Sequence, residues 1–126
     1  MRRRRFLAAA PAALAAACAT EPVMPTVSVF FTEDSSTLDS EAQTLLRTVA
    51  MQARGTTGPI VVIGYAGPAG GAAYNRALSE ARAQHVADLL ISNGVARDRV
   101  RIVARGPVPF ESVATESRRV EIRPGS

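Results

Sequence analysis

Apolar and polar positions change period several times along this chain, and each change marks an element. Val27 to Phe31 is apolar and β-branched or aromatic at most positions, which predicts a buried strand. Thr32 to Thr37 is polar and acidic and predicts a loop. From Leu38 to Arg54, Ala42, Leu45, Leu46, Val49 and Ala53 recur at steps of three and four, one apolar stripe along a helix. Asp39 is placed to cap that helix, Glu41 sits in the first turn where negative charge is favoured, and Gly55 ends it. Pro59 to Tyr65 contains the unbroken apolar run Ile60-Val61-Val62-Ile63, which predicts a strand that lies centrally or is covered on both faces. Gly64 to Gly71 holds four glycines and a proline and predicts a loop.

Ala73 to Asn93 reads as a second helix, with Leu78, Ala81, Val86, Leu89 and Leu90 on its buried side. Asn93-Gly94-Val95 has the form of a glycine cap followed by a hydrophobic contact. Val100 to Ala104 predicts a third strand, and Arg105 to Ser117, with Pro107 and Pro109, a long polar connection. Arg118 to Arg123 alternates, with Val120 and Ile122 on one face, as a strand with one wet side does; Arg118 and Arg119 then point to opposite faces. The resulting order, β-α-β-α-β-β, is that of an α/β two-layer sandwich, in which two helices cover one face of a sheet. A chain of 126 residues has room for one such domain, and with aromatics at 5% its core rests on Val, Ile, Leu and Ala.

Charge narrows the partners. All 15 basic residues are arginines, against 11 acids, for a net charge of +4. Arg2 to Arg5 account for that excess, and the remainder is neutral, so the domain lacks the basic surplus that nonspecific nucleic-acid binding draws on. The four arginines precede an uncharged run, Phe6 to Ala17, that is too short for a membrane span of about 20 residues and has the form of an export signal. The run ends in Ala15-Ala16-Ala17-Cys18, which resembles the lipobox of bacterial lipoproteins, although the usual Leu three places before the Cys is Ala15 and Leu14 lies one place further back. That resemblance implies lipidation of Cys18, the sole cysteine, as the mature N-terminus; an ordinary signal peptide cut nearby is the alternative. Ala19, rather than Asp, follows the Cys and points to the outer membrane. Arg3-Arg4-Arg5-Phe6-Leu7 also resembles the twin-arginine export motif, and both export routes fit. The expected organisation is residues 1–17 signal, 18–26 lipid-anchored tether, 27–123 domain and 124–126 tail.

Asn75, Leu78, Ser79, Arg82, Ala83 and Val86 fit the helix signature of the OmpA-like C-terminal domain family, and the chain resembles that family over residues 27 to 123. Phe30 to Leu38, Ile63-Gly64 with Gly70, Asn93-Gly94-Val95 and Arg118-Arg119-Val120-Glu121-Ile122 agree in order. The resemblance implies a mixed four-stranded sheet with both helices on one side. It also implies noncovalent binding of peptidoglycan through the zwitterionic end of a diaminopimelate stem peptide, with an arginine on the carboxylate and an aspartate on the ammonium. Directed paired hydrogen bonds make arginine the apt partner for carboxylate.

By that resemblance the arginine is Arg82, expected to face an open cleft, with Asn75 and Arg118 beside it. The family's Gly-His-Thr-Asp loop is here Gly64-Tyr65-Ala66-Gly67, so Tyr65 and Gly67 occupy its ligand positions and the aspartate's place falls on Gly67. The Asn that usually precedes the paired arginines is Ser117. Glu111 and Glu116 are candidate replacements for the missing acid. Two functions follow: a lipid-anchored link between outer membrane and peptidoglycan, or a degenerate domain that serves as an interaction or structural module for envelope proteins. No enzyme is expected and no cofactor. Ser79 has no His-Asp partnership, His85 is the only histidine and reads as a half-buried packing residue, no zinc set exists, and the glycines from 64 to 71 lack the Lys-Ser or Lys-Thr of a phosphate loop.

Overall fold

The computed structural model describes residues 24–67, 70–107 and 117–125. Cys18, the signal, most of the tether, Glu111 and Glu116 lie outside them. Four strands and two helices follow in the expected order: β1 (Val27–Phe30), α1 (Ser40–Arg54), β2 (Ile60–Ala66), α2 (Ala72–Ser92), β3 (Val100–Pro107) and β4 (Arg119–Pro124), with a short 3₁₀ turn at Arg97–Arg99. The sheet order is β1-β4-β2-β3; β2 and β3 run parallel, and β4 runs antiparallel to both β1 and β2. The α/β two-layer sandwich with a mixed sheet is therefore the architecture observed.

Local chemistry sets the helix ends. Asp39 caps α1, its carboxylate accepting the Ala42 N–H at 2.8 Å. At the end of α2, Gly94 takes a left-handed φ of 102°, the Gly94 N–H bonds Ile91 O at 3.0 Å, and the Val95 N–H bonds Leu90 O at 3.1 Å. That is the doubly bonded glycine cap, with Val95 tucked into the core behind it. The α1 stripe buries Leu46, Val49, Ala50 and Ala53, while Leu45 lies at its exposed rim.

The core forms where Leu46, Val49, Val86 and Leu90 of the helices meet Val29, Ile60, Val62, Val120 and Ile122 of the sheet. β2 is central, as its unbroken apolar run requires. β1 departs from its expected full burial: it is an edge strand, so Val29 faces the core while Phe30 stands 51% exposed on the other face.

β3 is longer than expected, running to Pro107 rather than ending at Ala104. The cause is a register shift between Gly64 and Tyr65, after which Tyr65 pairs with Gly106 and Ala66 with Pro107. Gly and Pro here belong to a bulged edge strand, not to a loop. The same place explains Gly64 and Ser79. A Cβ on Gly64 would collide with the Ser79 carbonyl oxygen, so only glycine lets β2 pass this close to α2. The Ser79 hydroxyl accepts the Gly106 N–H at 3.0 Å and donates to Arg76 O at 2.8 Å, which ties helix to bulge.

Candidate functional site

The first half of α2 turns an unusual set of side chains inward. Asn75, Ser79 and Arg82 share one helical face, and all three are buried. Arg82 is 0% exposed and is among the largest fully buried side chains described. Its Nε donates to Ser35 O at 2.8 Å, one terminal nitrogen to Tyr65 O at 3.1 Å and the other to Thr32 O at 3.1 Å. Its guanidinium carbon stands 5.2 Å from the centroid of the Phe31 ring. The open cleft expected at Arg82 is therefore absent among the described residues. Two carbonyls of the β1–α1 loop and one near the end of β2 enclose the group, because a buried charge must find hydrogen-bond acceptors.

Neutral carbonyls satisfy geometry but not charge. Among the described residues no carboxylate forms an ion pair with Arg82; the two ion pairs seen both belong to Glu121. Burial lowers the guanidinium's proton affinity, and the nearby positive charge of Arg118 lowers it further, while Tyr74 and Asp34 act in the opposite sense. A guanidinium offers five N–H groups, so the three carbonyl bonds leave two for another acceptor. An anion arriving here would relieve a desolvated cation that has a second cation for a neighbour.

The loop between β1 and α1 is tied to α2 at several points. Besides Arg82 at Thr32 and Ser35, the Tyr74 hydroxyl donates to the Asp34 carboxylate at 3.1 Å, and His85 Nδ1 lies 2.7 Å from Ser36 O. Asp34 has a φ of 55°, a left-handed conformation that Asp tolerates better than most residues. The hydrogen bond to Asp34, foremost, raises the Tyr74 proton affinity, with desolvation adding to it. His85 is exposed and binds this loop by a hydrogen bond, not the half-buried packing residue expected. It also lines a surface groove of about 520 Å³ together with Leu38, Asp88, Leu89 and Ser92; Arg82 does not line that groove.

The remaining expected residues gather only in part. Asn75 is buried and its amide donates to Gly71 O at 3.1 Å, which shapes the glycine turn ahead of α2. Tyr65 gives Arg82 its carbonyl, but its ring lies under the Arg119 guanidinium, 4.0 Å away, rather than beside Arg82. Arg118 precedes β4 instead of lying in it; its Nε donates to Phe31 O at 3.1 Å, and its charge is felt at Arg82. Gly67 stands at the end of β2, where a Cβ would come 3.2 Å from the Ser117 hydroxyl. Ser117 is fully buried, so this corner is tight but could yield by a side-chain rotation. Asp34 and Tyr74 were not singled out by sequence; the acidic character of the Thr32–Thr37 stretch was a signal for Asp34 alone.

Known proteins share this fold. The sequence pattern of the OmpA family matches residues 30–123. Outer membrane protein 40 of Porphyromonas gingivalis is 38% identical over 94 residues, which cover 68% of this chain and 25% of that relative. The chain thus spans about a quarter of the length of the curated relatives it matches. Among solved structures, the peptidoglycan-associated lipoprotein from Burkholderia pseudomallei superposes with a TM-score of 0.70 at 26% identity, covering 76% of this chain and 87% of that one. The cell wall anchor of the T6SS from Pseudomonas aeruginosa superposes with a TM-score of 0.64 at 30% identity, covering 80% of each.

Proposed function

The chain belongs to the OmpA family, and from that premise we propose that it is an outer-membrane lipoprotein whose domain holds peptidoglycan noncovalently. Its similarity to a peptidoglycan-associated lipoprotein and to a cell wall anchor supports this reading. The observation that carries it is Arg82: a fully buried guanidinium with no ion-paired carboxylate among the described residues and Arg118 close by. The carboxylate of a diaminopimelate end supplies the missing charge, in the paired geometry that arginine favours. To reach it, the ligand displaces the Thr32–Thr37 loop, whose carbonyls at Thr32 and Ser35 occupy part of the group.

The ammonium of the same ligand needs an acid. Gly67 offers none, and Asp34 is the described carboxylate whose field already reaches Arg82. In this proposal Asp34 does the work of the absent aspartate, and Tyr74 orients it. Lipidation at Cys18, with Ala19 behind it, anchors the domain in the outer membrane through the tether, so that the wall is bound at high local concentration.

Gly67 favours one other reading, a domain whose wall site has lapsed and which now serves envelope proteins. The two readings separate in a titration with diaminopimelate-containing stem peptide and a pull-down with sacculi. Under the first, the natural protein binds and Asp34→Asn weakens it about ten-fold or more, the scale expected for loss of a charge partner. Under the second, the natural protein fails at millimolar peptide and binding appears only in Gly67→Asp.

A further inference from the structure

The helices cover one face of the sheet, and the other face is charged and partly apolar in a pattern the stem-peptide site does not use. Register sets its residues. Phe30 of β1 pairs with Arg119 of β4, Ile63 of β2 pairs with Glu121 and Val103, and Val61 pairs with Arg123 and Arg101. Glu121 lies between Arg119 at 2.9 Å and Arg123 at 2.7 Å. It is thus neutralised, and the face retains an excess of positive charge. Arg101, and Arg105 at the β3 bulge, are exposed and have no ion pair among the described residues. Two large apolar side chains stand out on its two edge strands, Phe30 at 51% exposed and Val103 at 36%, while Ile63 between them is buried.

We infer that the exposed parts of this face dock on an anionic lipid surface. The chemistry fits on three counts. Arginines are drawn to an anionic headgroup layer, each adding roughly a five-fold gain in partition. Phe30 and Val103 supply apolar groups for the interface beneath the headgroups, as in proteins that lie on a membrane rather than span it. β1, the edge strand of this face, begins at Val27, and only Ala19 to Thr26 separate it from Cys18. A stretch of that length reaches no more than about 30 Å. If Cys18 is lipidated as proposed above, the face is held within reach of the bilayer, while α2, which carries Arg82, lies against the opposite side of the sheet. The charge and apolar exposure stand without the anchor.

The chain contains no tryptophan, so a single introduced one reports on its own surroundings. Phe30→Trp and Met51→Trp are prepared in the full chain; Met51 is 59% exposed on α1, in the helix layer. Each is mixed with vesicles of neutral phosphatidylcholine, with or without 30 mol% (about a third) of an anionic phosphatidylglycerol. The expected result is a blue shift of the indole emission in Phe30→Trp, quenched by brominated lipid, with anionic vesicles only, while the emission of Met51→Trp does not move. Adding Arg101→Glu and Arg105→Glu to Phe30→Trp lowers vesicle binding at least ten-fold and leaves stem-peptide affinity unchanged, and salt reverses the binding of the parent variant. A shift in Met51→Trp equal to that in Phe30→Trp means that the basic N-terminus alone brings the protein to lipid and overturns the proposal. So does a shift in Phe30→Trp with sacculi and not with vesicles. Failure of stem-peptide binding leaves these outcomes readable, since none of the four substituted positions lies in that site.

Discussion

Between Ala83 and Leu90, α2 turns Ala83, Val86, Ala87 and Leu90 into the domain; one to two turns earlier the same helical face carries Asn75, Ser79 and Arg82, nearly as deeply buried. The two halves share a backbone, a sheet and a degree of burial, and differ in chemistry. The later half gains about 1.5–3 kcal/mol for each large apolar side chain removed from water. The earlier half gains nothing comparable, because desolvating a guanidinium costs several kcal/mol and carbonyl bonds do little more than offset it. A helix selected for stability alone would continue its apolar face to the N-terminus. In the proposed function the Arg82 end is kept for an external ligand, and the Leu90 end holds the fold.

Substitutions in the two halves should therefore separate stability from binding. Leu90→Ala has the largest expected effect on stability, a loss of about 2–5 kcal/mol by denaturant unfolding, from lost transfer energy plus the cavity left behind. Stem-peptide affinity of the protein that remains folded should stay within about two-fold, since Leu90 lies two turns from Arg82. Ser79→Ala lies within the earlier half. It orphans the Gly106 N–H and should cost about 1–3 kcal/mol, with loosened β3 pairing visible as faster hydrogen exchange at Gly106.

Glu121 sharpens the comparison from outside α2, because it is a charge that already has its partners. Burial raises its carboxyl proton affinity, but hydrogen bonds from Arg119 and Arg123 outweigh that and hold it below the usual value of 4.5. A depressed folded value means that the stabilisation is present above the ordinary carboxylate range and is lost as pH falls through the folded value. Glu121→Gln should thus cost about 0.5–1 kcal/mol at neutral pH, and the gap to the natural protein should close as pH falls below the ordinary carboxylate range in acid titrations of stability. A gap that persists undiminished in acid would show that Glu121 acts by packing and not by charge.

What could be read from residue order alone was whatever is decided locally. Asp39 as a cap, Gly94 and Val95 as a helix end, and the run Ile60 to Ile63 as a central strand depend on a few neighbouring residues, and each stands as expected. The misreadings arose where distant segments meet. The end of β3 depends on a bulge opposite Tyr65, and the exposure of Phe30 depends on β1 being an edge. The enclosure of Arg82 depends on carbonyls at Thr32, Ser35 and Tyr65, supplied by two other elements. Asp34 enters the candidate site only because Tyr74, forty residues on, reaches its carboxylate. The motif around Arg82 points to the first half of α2, but its spacing carries no information about what closes over that guanidinium.

The sharpest test sets Arg82→Gln beside the natural protein, with diaminopimelate stem peptide titrated into both by calorimetry and thermal unfolding recorded on the same samples. Loss of a buried charge partner should lower affinity by about 30-fold or more, while the unfolding curve shows the variant still folded at the titration temperature. Equal affinities for the two proteins, in samples that are both folded, would contradict the assignment of Arg82 as the receiver of the ligand's carboxylate.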